Sequence, residues 1–194
     1  PYLEAARQQL HDETDYVQEA DQLIRFGQLL KDEPQFTVPN VHADWSSSKV
    51  LAMDYMVGVA IEDVAKEPQA VCNQVMTDFI SLALSELFEF GVMQTDPNFA
   101  NYLYDPGTRK IVLLDFGAVL MVDPMIADKY RRLICVGLQG DTDGLMTAAQ
   151  DMGLIDATTR DEHRVRIVQI IRQVLDMIRD GGAIDFTDQT LSKQ

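Results

Sequence analysis

Basic residues are scarce in this chain. Its 194 residues include 16 Lys and Arg against 31 Asp and Glu, a formal net charge of −15. A surface of that sign repels nucleic acid and anionic lipid headgroups, which excludes general nucleic-acid binding. It does not oppose a polyphosphate when a divalent cation stands between carboxylate and phosphate. Cysteine is scarce too: Cys72 and Cys135 stand alone, without partner spacing. Each falls in an apolar helical pattern and reads as a buried thiol rather than as a metal ligand or nucleophile. No apolar run reaches the roughly 18 residues needed to cross a bilayer, and no signal-peptide pattern opens the chain. There is no repeat, no low-complexity tract and no clear linker. An initiator Met is missing as well. Pro1-Tyr2-Leu3-Glu4 enters a helix-like pattern at once, as expected of a segment cut from a longer protein.

What is present suits a globular domain: 46% of residues are hydrophobic and 24% charged, at a length sufficient to bury a core. Helical spacing of Tyr16, Ala20, Leu23, Gly27 and Leu30 predicts one long amphipathic helix over 2–30, ending before Pro34. Phe36–Val41 reads as an extended edge piece, Lys49–Met56 as a second strand, and Ile61–Ala65 as a short helix. Val75, Phe79, Ala83, Leu87 and Phe90 mark a helix apolar over a wide face and central in the core. Residues 92–101 read as an irregular loop. Tyr102–Tyr104 and Lys110–Leu114 form a hairpin across Asp105-Pro106-Gly107-Thr108, where Pro and Gly supply the backbone angles a turn needs. Helices follow over about 124–138, 142–152 and 160–179, the last with a stripe of Val165, Val168, Ile171, Leu175 and Ile178. The tail from Gly181 reads as a loop or frayed end. The class is α+β, dominated by helix, in one unit.

The chemistry lies in Met93-Gln94-Thr95-Asp96-Pro97-Asn98-Phe99-Ala100-Asn101 and in Leu113-Leu114-Asp115-Phe116-Gly117. Phosphoryl transfer needs a carboxylate where the attacking oxygen arrives, and oxygen ligands for the metal that neutralises the phosphates. An Asp and an Asn five residues apart on one loop can supply both. A second Asp at a strand end can reach the metal from the other side. Protein kinases order these groups as Asp-x-x-x-x-Asn, a hairpin, then Asp-Phe-Gly. Asp96, Asn101 and Asp115 reproduce that order with the hairpin between. Either motif alone is a weak signal; together and in order they predict a protein-kinase-like fold. The His usual two residues before the catalytic Asp is Gln94 here, a departure that points to a subfamily.

His11-Asp12-Glu13-Thr14-Asp15-Tyr16-Val17-Gln18-Glu19-Ala20 resembles the Glu-x-Asp-x-x-x-Glu-Ala signature of the UbiB/ADCK family of atypical kinases. Gln94-Thr95-Asp96-Pro97-Asn98-x-x-Asn101 resembles that of its mitochondrial, coenzyme-Q-associated branch. The similarity continues through Leu87-Phe88-Glu89-Phe90 and Asp115-Phe116-Gly117-Ala118, and loosely to Asp185-Phe186. The resemblance implies a helix αC with the last N-lobe strands over residues 1–56, a hinge at its end, and a kinase-like C-lobe over 57–194. It implies ATP and Mg²⁺ as cofactors. Glu19 is the implied αC glutamate, partner of a lysine on the α- and β-phosphates. Glu13 and Asp15 are the implied acidic pair that meets a Lys-x-Gly-Gln segment over the active site. Asp96 takes the catalytic position, Asn101 and Asp115 the metal positions. Met53, Asp54, Tyr55 and Met56 form the implied hinge against which adenine stacks. Acids on a helix are by themselves ordinarily a solvated face; Glu13, Asp15 and Glu19 gain weight from agreeing with the later motifs.

No Lys-x-Gly-Gln and no Ala- or Gly-rich phosphate loop occurs, and no lysine precedes Glu19. In the family these lie N-terminal to the present Pro1, so the chain is expected to be an incomplete domain whose missing amides and lysine would hold the phosphates. The function implied by the resemblance is an ATP-binding atypical kinase or ATPase supporting ubiquinone (coenzyme Q) biosynthesis. Its implied partners are nucleotide and, in the intact protein, lipid-quinone precursors or ubiquinone-biosynthesis proteins. Its implied location is the mitochondrial inner membrane or the cytoplasmic side of a bacterial membrane. Protein substrates fit poorly, because no Ala-Pro-Glu follows Asp115 and Ala118–Asp123 is short for an activation loop. Two alternatives share part of the pattern. A small-molecule phosphotransferase of the aminoglycoside or choline kinase type shares Asp-x-x-x-x-Asn but not the acids of the first helix. A non-catalytic pseudokinase scaffold would not need Asp96, Asn101 and Asp115 together.

Overall fold

Asp15 opens the first helix by accepting hydrogen bonds from the backbone N–H groups of Val17 and Gln18, 3.2 Å each. These satisfy two of the donors that every helix start leaves orphaned. The computed structural model describes residues 15–96 and 98–179, so the part of the long-helix expectation over 2–14 lies outside the described residues. The chain divides into two compact units, the first running to Val122 and the second from Asp123, where the sequence suggested one.

In the first unit, helix α1 (Tyr16–Leu29) buries Leu23 and Phe26, with Leu30 just beyond it. Their three- and four-residue spacing puts them on one face. A four-stranded sheet takes the order β1-β5-β4-β2, from strands β1 (Phe36–Thr37), β2 (Val59–Ala60), β4 (Tyr102–Asp105) and β5 (Lys110–Leu113). β4 and β5 are the expected antiparallel hairpin, with Tyr102 opposite Leu113. β1 lies parallel to β5 at the sheet edge, as its flanking prolines allow. Strand β2 was not foreseen. It is admitted by Gly58, where a Cβ would stand 2.8 Å from the Cβ of Leu103. The strand expected over Lys49–Met56 is not a strand. That stretch makes only isolated bridges, Val41 to Met53 and Ser47 to Val50, because Ser46 and Asp54 side chains take up the local backbone groups.

Helix α2 (Gln69–Ser85) continues directly into a π-helical turn, Glu86–Phe90, that ends at Gly91 with φ of 64°. A left-handed backbone at that point suits glycine. The buried stripe is Val75, Asp78, Leu82 and Glu86, rotated from the expected Val75, Phe79, Ala83, Leu87 and Phe90. Met76, Ile80 and Leu84 are exposed, so the helix is less enclosed than its composition suggested. The stretch expected to be irregular contains strand β3 (Val92–Gln94), paired antiparallel with β6 (Val119–Met121), and a 3-10 turn, Phe99–Asn101.

The second unit is helical, as expected: α3 (Pro124–Leu138), α4 (Thr142–Asp151) and α5 (Asp161–Arg179). Asp123 and Asp141 cap the first two, and Pro124 occupies a helix-start position that costs no hydrogen bond. Leu133, Leu145, Ala149, Ile155, Val168 and Leu175 form its core. Val165, Ile170 and Val174 on α5 are exposed, and so is Cys135 on α3, contrary to the buried thiol expected there. Cys72 is half-buried, its thiol donating to the Val64 carbonyl at 3.1 Å. Among the described residues no helix is long and apolar enough to cross a membrane.

Candidate nucleotide and metal site

The loop between β3 and β4 is built so that the side chains of Asp96 and Asn101 meet. Asn98 accepts from the Ala100 N–H at 3.0 Å and starts the 3-10 turn that ends on Asn101. The Asn101 amide then donates to Asp96 Oδ2 at 3.0 Å. The Leu114 N–H donates to the Asn101 carbonyl at 2.9 Å, which brings the residue preceding Asp115 against the same loop. On the far side, Asp115 Oδ1 accepts from the Gly117 N–H at 2.8 Å, a local turn that fixes one carboxylate oxygen and leaves Oδ2 for a further partner. Thr95 donates from both N–H and hydroxyl to the Ala118 carbonyl, at 2.8 and 3.1 Å.

Phe116 anchors the tripeptide. It is 1% exposed, and its ring centroid lies 4.4 Å from that of Phe26 on α1. That contact ties the Asp115 backbone to the helix that carries Glu19. Burial first, and then the negative charge of Asp115, hold the half-buried Glu19 carboxyl above its usual range. Glu19 and Asp115 therefore feel one another as like charges.

Tyr102 sits where the fields of the site converge. Burial, followed by the charges of Glu86, Asp96 and Asp115, pushes its hydroxyl up to about 12. Its ring meets Phe79 edge-on at 5.1 Å. Beneath it lies a chain of hydrogen bonds that sequence reasoning did not find. Tyr102 donates to Gln94 Oε1 at 3.0 Å; Gln94 donates from its side chain to Glu86 Oε1 at 3.2 Å and from its backbone N–H to Glu86 Oε2 at 3.1 Å. Glu86 is 4% exposed, and burial pushes its carboxyl up to about 7 despite the two bonds from Gln94.

The Glu86 shift has a measurable consequence. Folding raises this pKa from 4.5 to about 7, so the folded chain prefers the protonated form. The stability due to this preference is complete below pH 4.5 and is lost as pH rises towards 7, with no further loss above it. At about 1.4 kcal/mol per pH unit the swing is on the order of 3 kcal/mol. Urea titrations of wild type and Glu86→Gln should therefore diverge between pH 4.5 and 8 in favour of the Gln variant. A gap that stays constant with pH would contradict a carboxyl pushed up by burial.

The remaining expected site residues are distributed as follows. Asp15 caps α1, while Glu13 and the Asp185-Phe186 pair lie outside the described residues. Asp54 is held by the Asn40 N–H and side-chain amide, at 3.2 and 2.7 Å, and His42 Nε2 lies 2.9 Å from its other oxygen. These bonds, the Asn40 pair first, hold its carboxyl below the ordinary range. Met53 and Tyr55 are exposed, Tyr55 at 92%, and Met56 is half-buried. Among the described residues no three His, Cys, Asp or Glu side chains are grouped closely enough to hold a metal alone. The donors present, Asp115 and Asp96 carboxylates with the Asn101 amide, suit magnesium, which binds through one or two carboxylates together with substrate phosphates.

Comparison with known proteins bears on this geometry. The family model described as ABC1 atypical kinase-like domain matches residues 2–149. The chain is 34% identical over 189 residues to the atypical kinase COQ8, mitochondrial, of Saccharomyces cerevisiae, covering 96% of this chain and 38% of that protein. It is 37% identical over 150 residues to the atypical kinase COQ8B, mitochondrial, of Rattus norvegicus, covering 77% of this chain and 28% of that protein. The chain thus spans 28% and 38% of the length of these two relatives. Among solved structures it resembles that of Rv3197 with erythromycin from Mycobacterium tuberculosis, with a TM-score of 0.64 at 26% identity, over 87% of this chain and 42% of that one. Together these matches place the α+β arrangement among protein-kinase-like folds.

Proposed function

Given that this chain belongs to the family of ABC1 atypical kinase-like domains, we propose that it supplies the catalytic loop and metal-binding side of a Mg-ATP-dependent atypical kinase or ATPase supporting ubiquinone biosynthesis. The observation that carries this is the gathering of Asp96, Asn101 and Asp115 about Tyr102, on a loop and a strand end that face each other across one hydrogen-bonded hairpin. Asn101 and Asp115 are the residues to hold Mg²⁺, which when bound neutralises phosphate charge. Asp96 receives the proton of the attacking hydroxyl or water, oriented by its bond from Asn101. Glu19 orients a lysine on the phosphates, and Glu13 with Asp15 meets the segment that covers them. Met53, Asp54, Tyr55 and Met56 are the adenine-side hinge, closing an N-lobe part over 1–56 that adjoins a C-lobe over 57–194. The paired extended segments at Asn40–His42 and Ala52–Asp54 support that reading, since they leave Tyr55 open.

The family match favours this reading over a phosphotransferase of the aminoglycoside or choline kinase type. The names of the relatives support a mitochondrial setting. Lipid-quinone precursors or ubiquinone-biosynthesis proteins are the partners that this reading implies. Thermal-shift titration with Mg-ATP tests the proposal on this chain and on the full-length gene product. Binding only to the folded state raises its apparent stability. The full-length product should shift and release phosphate. A full-length product that neither shifts nor releases phosphate would count against the assignment.

A further inference from the structure

Glu86 is a carboxylate placed where a hydrophobic side chain would be expected, on the buried stripe of α2 and its π-helical turn. Both of its oxygens are used, and both by Gln94: one by the backbone N–H at 3.1 Å, the other by the side-chain amide at 3.2 Å. Gln94 passes the constraint on through its own carbonyl oxygen, which accepts from Tyr102 at 3.0 Å. Gln94 is the last residue of β3 and Tyr102 the first of β4. The loop that carries Asp96 and Asn101 runs between them.

We propose that Glu86 is a positioning residue: through Gln94 and Tyr102 it clamps both ends of the loop and so sets the separation of Asp96 from Asn101. The inference rests on the roles proposed above for those two side chains. Neither reaches Glu86; the effect is transmitted by the backbone on either side. The π-helical turn belongs to the device, since turns of this kind recur at functional sites and this one carries Glu86 as its first residue. The raised Glu86 carboxyl fits a group whose bonds to Gln94 only partly offset its burial. Glutamine at position 86 can serve the same geometry. Its carbonyl accepts from the Gln94 N–H, its amide donates to a flipped Gln94 carbonyl, and the Gln94 amide then donates to the Tyr102 oxygen.

The test is steady-state phosphate release from Mg-ATP by the full-length gene product and its Glu86→Ala, Glu86→Gln and Tyr102→Phe variants. In Glu86→Ala, kcat should fall on the order of tenfold or more while KM for Mg-ATP stays within about threefold, and Glu86→Gln should recover most of the loss. Should Glu86→Ala not fold, Tyr102→Phe carries the test, since it removes one oxygen from the clamp. A kcat lowered by about threefold or more at unchanged KM supports the inference. Unchanged kcat in folded Glu86→Ala or in Tyr102→Phe overturns the inference alone, as does a loss that Gln cannot recover. A wild-type protein without Mg-ATP-dependent turnover overturns the functional reading, and this inference with it.

Discussion

Asp115→Asn is expected to abolish magnesium-dependent nucleotide binding in the full-length gene product while leaving its fold intact. The local turn explains the separation. Asp115 Oδ1 accepts from the Gly117 N–H at 2.8 Å, and an asparagine carbonyl can accept the same bond. What the substitution removes is the charge, and with it the main attraction for a divalent cation. Asp96→Asn should behave differently. Its carboxylate is exposed and bonded to Asn101, and its proposed work is on the attacking oxygen rather than on the resting phosphates. Binding should survive while turnover drops by about 10² to 10⁴, the range general-base catalysis contributes. Thermal shift with Mg-ATP and a phosphate-release assay distinguish the two. Equal phenotypes, or an Asp115→Asn protein that still shifts with Mg-ATP, would remove the division of labour between these carboxylates.

Phe116→Ala should destabilise the first unit by about 3–5 kcal/mol, the usual cost of emptying a buried aromatic site. The ring is 1% exposed and packs on Phe26, which is 0% exposed, with 34° between their planes. Phe26→Ala should cost a similar amount, and the double variant less than the two together, with a coupling of about 0.5–1.5 kcal/mol. Urea unfolding of the four proteins measures this. A Phe116→Ala cost below about 1 kcal/mol would mean that the site collapses around the missing ring, so that Phe116 does not tie Asp115 to α1. The same variant should speed amide exchange in α1, because the helix loses its contact with the strand end.

The hairpin and the helices of the second unit were legible because turn chemistry and caps are local: Asp105, Asp123-Pro124 and Asp141 act within a few residues of themselves, although the left-handed position of the hairpin turn falls on Arg109 (φ 59°) and not on Gly107 as expected. The meeting of Asp96 with Asn101 was legible for a different reason: five residues on one loop let the Asn101 amide reach the Asp96 carboxylate, at 3.0 Å. The central helix was misread by one face. Its true stripe contains Asp78 and Glu86, and acids argue against burial unless their partners are known. Gln74 supplies the partner for Asp78, four residues back, and could have been guessed. Gln94 supplies the partner for Glu86 from strand β3, eight residues on, and no periodicity reveals that. Lys49–Met56 failed as a strand because the Ser46 hydroxyl takes the Ala52 N–H and the Asp54 carboxylate takes the N–H of Asn40 opposite, a contest that strand propensity does not register. Cys135 failed because an apolar neighbourhood in sequence is not a buried one in space.

The pairing of β3 with β6 limits how this site can be governed. Kinase-like domains are commonly switched by a long segment after Asp-Phe-Gly that passes between ordered and disordered states. Only the five residues Ala118–Val122 follow Gly117 before the next helix cap at Asp123, and they have no slack. Ala118 is bonded to Thr95, Val119–Met121 to Val92–Gln94, and the Val122 N–H to the Gly91 carbonyl. Peeling that ribbon away would strip the loop of Asp96 at the same moment, so the part cannot serve as a valve on the whole. A domain wired in this way has no strand of its own floor that can loosen without loosening the Asp96 loop as well.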